Sequence, residues 1–472
     1  MSIKIMNSLL KSALLAGIAF VMPLSAQAMG LREAVQTALD SNPQIGAAIQ
    51  NHDAIGFELR QAEGLWAPRV DLEASTGIQY LNTPSRRATG IENDALYPSQ
   101  VGVTARWDLY DGGFRDAELA RQAARVDSAS YRVLERSEFI ALQIARVYYQ
   151  VLLQQQIVNL TRQNASFHEG VASDVSSAIE NGQLTEADRL QSIERLAAAR
   201  ARVTEAGVEL AAAQIEYKTL VGLMPGAVNA PPRASSGIPG SLEIAVANAI
   251  VNNPRVKTAG ADINAASALV EQAASDFMPK IQLEGRAATG YDVSGAHEWQ
   301  NDLSARVSLR WNIYDGGIAR NHVQEEMRRE NEAKMVFDQT AREVEQAVRE
   351  SWLRMKSQAE LSRVYNEQLN SSSGLVDSYR EQFTIGERSL LDLLDSQNTR
   401  FNVQILQETA RYSVMFAEYR VLAASGTLID FLGVQTHDAA SAGTFSAFDL
   451  KSWEQFEPRT LEPLNLQKVG NY

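Results

Sequence analysis

The chain of 472 residues contains no cysteine. This absence excludes disulfide bonds, thiolate metal sites and a lipidated N-terminal cysteine. After residue 28 the sequence also has no run of eighteen consecutive apolar residues, which excludes a hydrophobic transmembrane helix. The 5 histidines lack the spacing of metal ligands, and HExxH, GxSxG and P-loop sequences are missing. We therefore predict a protein that is not an enzyme and that binds no cofactor or metal.

Basic residues are fewer than acidic ones, and the difference grows when the N-terminus is removed. An apolar run from about Ala13 to Leu24 follows Lys4 and Lys11 and precedes Ala26-Gln-Ala28, which is typical of a secretory signal peptide. An amphipathic first helix is the alternative, but it fits these flanks less well. Without residues 1–28 the chain has 42 basic and 57 acidic residues and a net charge of −15. Nucleic acid is therefore not an expected partner.

The chain contains an internal duplication. Trp107-Asp-Leu-Tyr-Asp-Gly-Gly113 recurs as Trp311-Asn-Ile-Tyr-Asp-Gly-Gly317, and Asn42-Pro43 recurs as Asn253-Pro254. Equivalent residues are 211 positions apart up to Pro68 and Pro279 and 204 apart from Asp111 and Asp315 onwards, so the second repeat lacks seven residues in the region of the two strands and their loop. Each repeat is predicted to form a helix, two strands, a very long helix, a turn and a shorter helix. The predicted divisions are a signal peptide (1–28), a first repeat (29–224), a linker (225–240), a second repeat (241–434) and an irregular C-terminal tail (435–472).

Each Asp-Gly-Gly sequence is predicted to join a strand to a long helix. Glycine there allows backbone angles that other residues resist, and the aspartate can accept hydrogen bonds from the first amides of the helix. The predicted junction residues are Asp111, Gly112, Gly113, Asp315, Gly316 and Gly317.

Four stretches alternate apolar and polar residues with a period of two, as β-strands do. Their apolar faces cover residues 70–80, 101–109, 281–291 and 303–313, and their opposite faces are charged. A soluble sandwich would turn the charged face to water, whereas an outer-membrane barrel turns the apolar face to lipid. The signal peptide and the lack of cysteine favour the barrel. Since four strands cannot close a barrel, several chains must contribute to one.

The long helices carry heptad patterns typical of coiled coils. The first pattern begins at Leu119 and includes His168, which we interpret as a packing residue, while Glu330, Lys334 and Gln358 interrupt the second. A helix over residues 114–180 would be about 100 Å long. At the far ends of the two helices, Gly182 and Gly386 suit left-handed C-caps, and Thr185 and Ser389 can cap the next helices.

The order and duplication of these features resemble the TolC-like outer-membrane efflux proteins, in particular the outer-membrane components of type I secretion systems. The resemblance covers about residues 30–434 and is carried by Ala38-Leu-Asp-Ser-Asn-Pro43, Ala67-Pro68, Met278-Pro279, both Tyr-Asp-Gly-Gly sequences and both glycine turns. It implies a mainly α fold with a membrane β-barrel. In such a homotrimer, four strands per chain form a twelve-stranded barrel, and the long coiled-coil helices form an α-barrel tunnel.

The resemblance also implies a site and a set of partners. The periplasmic gate would lie at the helical tips, at Gly182, Asp188, Phe383, Gly386, Arg388, Asp392 and Asp395. Phe383 stands where the family has a tyrosine, so a hydroxyl link to a neighbouring tip is not expected. The implied partners are a periplasmic membrane-fusion (adaptor) protein, an inner-membrane ABC exporter or proton-driven pump, and outer-membrane lipid. Such a chain would lie in the outer membrane of a Gram-negative cell, with most of its length in the periplasm.

The implied function is an exit duct, and two questions about it stay open. The substrate is either a secreted protein, which we favour, or small toxic compounds. Asp392 and Asp395 share a helix face, so a trimer could ring one opening with carboxylates that attract cations. The alternative for these two residues is an ordinary solvated acidic face. For the whole chain, the alternatives are a structural coiled-coil protein of the periplasm and a soluble periplasmic binding module.

Overall fold

A computed structural model describes residues 29–226, 228–231 and 233–443. The predicted signal peptide and the tail beyond residue 443 lie outside the described residues. In chain order the first repeat contains α1 (Leu31–Ser41), α2 (Pro43–Gly64), β1 (Arg69–Thr76), β2 (Gln79–Tyr80), α3 (Pro84–Ala88), β3 (Ala95–Leu96), β4 (Ser99–Tyr110), α4 (Phe114–Glu180) and α5 (Glu186–Val221). The second contains α6 (Leu242–Asn252), α7 (Pro254–Ala274), β5 (Lys280–Tyr291), β6 (Trp299–Arg310), α8 (Ile318–Thr384), α9 (Leu390–Ala424) and α10 (Leu428–Leu432).

The first helical segment of each repeat is broken at its Asn-Pro sequence. Asn42 accepts a hydrogen bond of 2.9 Å from the backbone N–H of Gln44, and Asn253 accepts one of 2.9 Å from that of Arg255. Proline has no N–H and a fixed φ, so it ends the preceding helix and suits the first turn of the next. Helices α1 and α6 therefore end at equivalent residues, and α2 and α7 begin at equivalent prolines.

One antiparallel sheet contains four of the strands, in the order β1-β4-β5-β6. The two repeats meet at its centre, where β4 pairs with β5. The apolar face is exposed, with Leu72 at 73% and Leu303 at 87%. The outer edges of β1 and β6 have no neighbouring strand among the described residues.

The strand bounds differ from the predicted ones mainly in the first run and in the last strand, which also begins earlier, at Trp299. The predicted run over residues 70–80 is divided into β1 and β2, and β6 ends at Arg310 although the alternation continues to Ile313. In the first repeat, Trp107 and Tyr110 remain in a strand because they pair with Leu283 and Ile281 of β5. The equivalent residues after Arg310 have no strand beside them in a single chain.

Helices α4 and α8 each contain 67 residues, which corresponds to a length of about 100 Å. Most of the predicted seam of α4 is buried, including Val133, Ile140 and Val151. Both charged residues that interrupt the seam of α8 are buried as well: Lys334 Nζ lies 3.0 Å from Glu330 Oε1. Two residues one helical turn apart therefore form an ion pair at positions where the heptad pattern calls for apolar side chains.

The largest apolar core lies near the middle of α4. It joins α1, α4, α5, α9 and α10 around Tyr148, Tyr217 and Tyr419, which are each 0% exposed. Among the described residues, no helix combines the length and the hydropathy required to cross a membrane. The mainly helical, duplicated architecture agrees with the prediction. It places the sheet at one end of the long helices, and at the other end the two turns that connect α4 to α5 and α8 to α9.

Candidate functional site

The first turn at the far end of the helices connects α4 to α5. Gly182 has a φ of +75°, and its N–H donates to the carbonyl of Ile179 at 2.8 Å. Thr185 caps α5, and the Asp188 carboxylate accepts from the Thr185 N–H at 2.9 Å and from the Thr185 hydroxyl at 2.7 Å. These hydrogen bonds hold the pKa of Asp188 below its usual range. Asp188 therefore stays ionised and stabilises its own turn.

The second turn connects α8 to α9 by the same chemistry. Gly386 has a φ of +80°, and its N–H donates to the carbonyl of Phe383 at 3.0 Å. The Asp392 N–H donates to the Ser389 hydroxyl at 3.2 Å, and this hydroxyl donates to the Asp392 carboxylate at 2.8 Å. A residue with a Cβ is strained at the φ of Gly386, so glycine fixes the position of this turn.

Arg388 is held against its own hairpin. Its guanidinium carbon lies 4.3 Å from the centre of the Tyr379 ring, and its Nε donates to Gln382 Oε1 at 3.0 Å. Its Nη1 lies 3.8 Å from Asp392 Oδ2. The three contacts fix the guanidinium beside the second turn, where it offsets part of the charge of Asp392.

Asp395 connects the second helical hairpin, formed by α8 and α9, to the first, formed by α4 and α5. Its Oδ1 lies 3.6 Å from Nη2 of Arg195 on α5, and its side chain is 61% exposed. Asp392, one helical turn earlier, is 46% exposed. Both carboxylates are therefore accessible in the single chain, and Asp395 also forms an ion pair between hairpins that sequence reasoning did not identify.

An apolar cluster lies directly beneath the two turns. It contains Val171 and Val175 of α4 and Leu390, Leu393 and Leu394 of α9, with Phe383 packed against them. Behind the cluster, Gln397 donates to Asn164 at 2.7 Å in a buried hydrogen bond. Sequence reasoning missed the α9 members. The spacing Leu390, Leu394, Gln397 and Phe401 is the same alternation of four and three residues that identified the seam of α4.

His168 is a packing residue of α4, next to Phe167, which packs against the apolar cluster. It is 6% exposed and lies edge-on to Phe167, with ring centroids 5.7 Å apart. Burial, followed by the positive charges of Arg195 and Arg202, lowers its pKa. A neutral imidazole at pH 7 avoids adding a third positive charge to this region.

The strand-to-helix junctions lie at the opposite end of the long helices. Asp111 accepts hydrogen bonds from the N–H groups of Gly113 at 3.1 Å and Arg115 at 3.0 Å. Asp315 accepts from those of Gly317 at 2.8 Å and Ala319 at 2.6 Å. Both aspartates thus cap the helix that follows, and both junctions are structural supports far from the turns.

Each junction is also joined to the helix before its sheet, which the sequence did not indicate. The indole N–H of Trp107 donates to the carbonyl of Trp66 at 3.0 Å, and that of Trp311 donates to the carbonyl of Phe277 at 3.0 Å. The two hydrogen bonds are equivalent: each lies within one repeat and joins residues at the same repeat positions.

In the described part of the chain, no group of three or more His, Asp or Glu side chains could hold a metal ion.

The model of the outer membrane efflux protein family matches residues 34–223 and 245–427. Outer membrane efflux protein BepC of Brucella suis biovar 1 is 24% identical over 374 residues, which cover 78% of this chain and 80% of BepC. Alkaline protease secretion protein AprF of Pseudomonas aeruginosa is 26% identical over 418 residues, which cover 85% of each chain. The solved Campylobacter jejuni CmeC outer membrane channel is similar with a TM-score of 0.71 at 16% identity, covering 87% of each chain. This last similarity shows a shared fold.

Proposed function

Because the chain belongs to the outer membrane efflux protein family, we propose that it forms a homotrimeric exit duct from the periplasm across the outer membrane. One observation carries this proposal: a sheet with an exposed apolar face stands at one end of two 67-residue helices. Lipid would cover that face, and the helices of about 100 Å would extend into the periplasm.

The sheet supports assembly from several copies. Both its outer edges are free in the described chain, and an even number of antiparallel strands per chain lets the last strand of one copy run antiparallel to the first strand of the next. Three copies would supply twelve strands. The face opposite the apolar one would line the lumen, and it carries ion pairs between neighbouring strands, including Arg106 with Glu284 and Arg306 with Glu284.

The helical turns are the proposed gate. In a trimer, Asp392 and Asp395 of three chains would surround one opening, and such a ring attracts cations. The apolar cluster around Leu393 and the Arg195–Asp395 ion pair join the two hairpins of a chain. Parting the hairpins would break these contacts, so the free energy for opening would come from a docked partner.

We assign the partners and substrate by similarity. An adaptor protein of the periplasm and an inner-membrane ABC exporter would supply energy and cargo, since the chain itself carries no P-loop. Similarity to a protease secretion protein favours a secreted protein as substrate. Similarity to a protein named for efflux supports the second candidate, a duct for small toxic compounds served by a proton-driven pump.

Deletion of the gene would distinguish the two substrates. A secretion duct predicts that one exported protein is lost from the culture medium while resistance to dyes and detergents is unchanged. An efflux duct predicts the reverse pattern. A third class, a structural coiled-coil protein of the periplasm, predicts neither change, and it would leave the apolar face of the sheet without a function.

A further inference from the structure

The structure gives a residue-level rule that relates the two repeats. Within the first repeat, Arg69 of β1 faces Arg106 of β4, and within the second, Lys280 of β5 faces Arg310 of β6. Arg69 and Lys280 are 211 positions apart, and Arg106 and Arg310 are 204 apart. The strand registers therefore follow the same two offsets as the sequence repeat, so each strand residue of one repeat has a defined equivalent in the other.

The contact between β4 and β5, which joins the two repeats, has an equivalent under these offsets. Arg106 of β4 faces Glu284 of β5, and Arg106 Nε lies 3.3 Å from Glu284 Oε2. Under the two offsets, Arg106 corresponds to Arg310 and Glu284 corresponds to Glu73. These residues lie on β6 and β1, at opposite free edges of the sheet. Both side chains are exposed, and neither has an ion-pair partner within the part of the chain that the structure describes.

A second polar contact maps in the same way. Gln282 of β5 donates to Asp108 of β4 at 2.9 Å, and the equivalents of these residues are Asp71 and Asn312. The pair again combines an amide with a carboxylate, although the strand that carries each group is exchanged. Independent substitutions would not be expected to preserve donor and acceptor in this manner.

The junction glycines give a third, steric indication. A Cβ on Gly112 would lie 2.5 Å from Met278 Cβ, because the first junction packs closely on the second repeat. At Gly316, the equivalent position, a Cβ would meet no atom within 4 Å. The residue equivalent to Met278 is Ala67, which lies two residues before β1, the strand at one free edge of the sheet. The open space at Gly316 thus corresponds to a contact that a single chain cannot make.

We propose that β6 pairs antiparallel with β1 of a second copy of this chain, in the register that sets Arg310 against Glu73 and Asn312 against Asp71. The same register brings Gly316 against Ala67 of that copy. The inference rests on the proposed function only in requiring several copies around one sheet. It assigns a partner and an ion pair to each free edge, and it repeats between chains the contact that already joins the two repeats.

Cysteine cross-linking tests the register directly, because the chain has no cysteine of its own. Facing residues on paired strands have Cβ atoms about 5 Å apart, so the variant carrying Glu73→Cys and Arg310→Cys should form a ladder of covalent multimers with the shortest bifunctional thiol reagent. The matched control carries Glu73→Cys and Arg306→Cys. Position 306 is on the same face of β6 but four residues away, which adds about 13 Å, and this control should remain monomeric under denaturing conditions.

Charge reversal supplies a second readout. Glu73→Arg and Arg310→Glu should each lower the temperature at which the assembly dissociates in detergent, and the double variant should recover most of that loss. Cross-linking of the control pair instead of the first pair, in an assembly that conducts ions, would overturn the register and leave the duct standing. A wild-type chain that is monomeric and does not conduct would overturn both the register and the proposed function.

Discussion

Replacing Glu138 with glutamine is expected to change how the stability of the protein depends on pH. Glu138 lies on α4 and is 6% exposed, and its Oε1 accepts a hydrogen bond of 3.2 Å from the N–H of Ile429 in α10. Burial raises the pKa of this carboxyl from 4.5 to about 8, because the charged form loses its hydration. The amide of Ile429 opposes the rise, and the nearby charge of Asp430 adds to it.

The sign and size of the effect follow from these two pKa values. Between pH 4.5 and about pH 8 the unfolded chain has lost the proton while the folded chain still holds it, so stability falls as the pH rises through this interval. One pKa unit is worth about 1.4 kcal/mol, which sets a ceiling of roughly 5 kcal/mol for the whole loss. Glutamine cannot ionise. Relative to the parent, the variant should therefore gain several kcal/mol between about pH 5 and about pH 9.

Thermal unfolding of the detergent-solubilised protein, followed by its helical circular dichroism, measures this difference. The midpoint of Glu138→Gln should rise relative to that of the parent as the pH increases. Glu135→Gln is the matched control, because it removes a carboxylate from the same helix at a side chain that is 45% exposed. Its midpoint should differ from that of the parent by nearly the same amount at every pH. A difference in midpoint between Glu138→Gln and the parent that is the same at every pH would refute the assignment of a buried, protonated carboxyl.

Three further changes probe the turns and a junction. Changing Asp392 and Asp395 to alanine should raise single-channel conductance and weaken block by multivalent cations in a planar bilayer, since the carboxylate ring is removed; unchanged block would count against the ring. Leu394→Ala empties a site that is 1% exposed and should cost about 3 kcal/mol, seen as a lower thermal midpoint, whereas Leu391→Ala, at 46% exposure, should change little. Asp315→Ala removes the cap of α8 and should cost about 1 kcal/mol in the same assay, while Asp315→Asn should keep most of it. Equal losses in the two Asp315 variants would contradict the capping role.

The duplication, the strands and the long helices could be predicted from the sequence because each leaves a regular signal. Offsets of 211 and 204 residues relate the repeats, a period of two marks the strands, and the heptads mark the coiled coils. The turns could be placed as well, since Gly182 and Gly386 stand between two helical patterns and their backbone angles favour glycine.

Contacts between elements could not be predicted in the same way. The hydrogen bond between Glu138 and Ile429 joins residues 291 positions apart, and the Arg195–Asp395 ion pair depends on how the hairpins pack. The early end of β6 reflects the missing neighbour of its edge, and Glu330 and Lys334 occupy a seam by pairing with each other. Periodicity identifies which face is buried, but it does not identify the residue on the other side.

The oligomeric mass and ion conductance of the protein purified from the membrane fraction test the central claim most directly. An exit duct predicts a detergent-solubilised particle that contains three chains and opens stable ion-conducting channels in a planar bilayer. A monomer recovered from the soluble periplasm, without channel activity, would contradict the account.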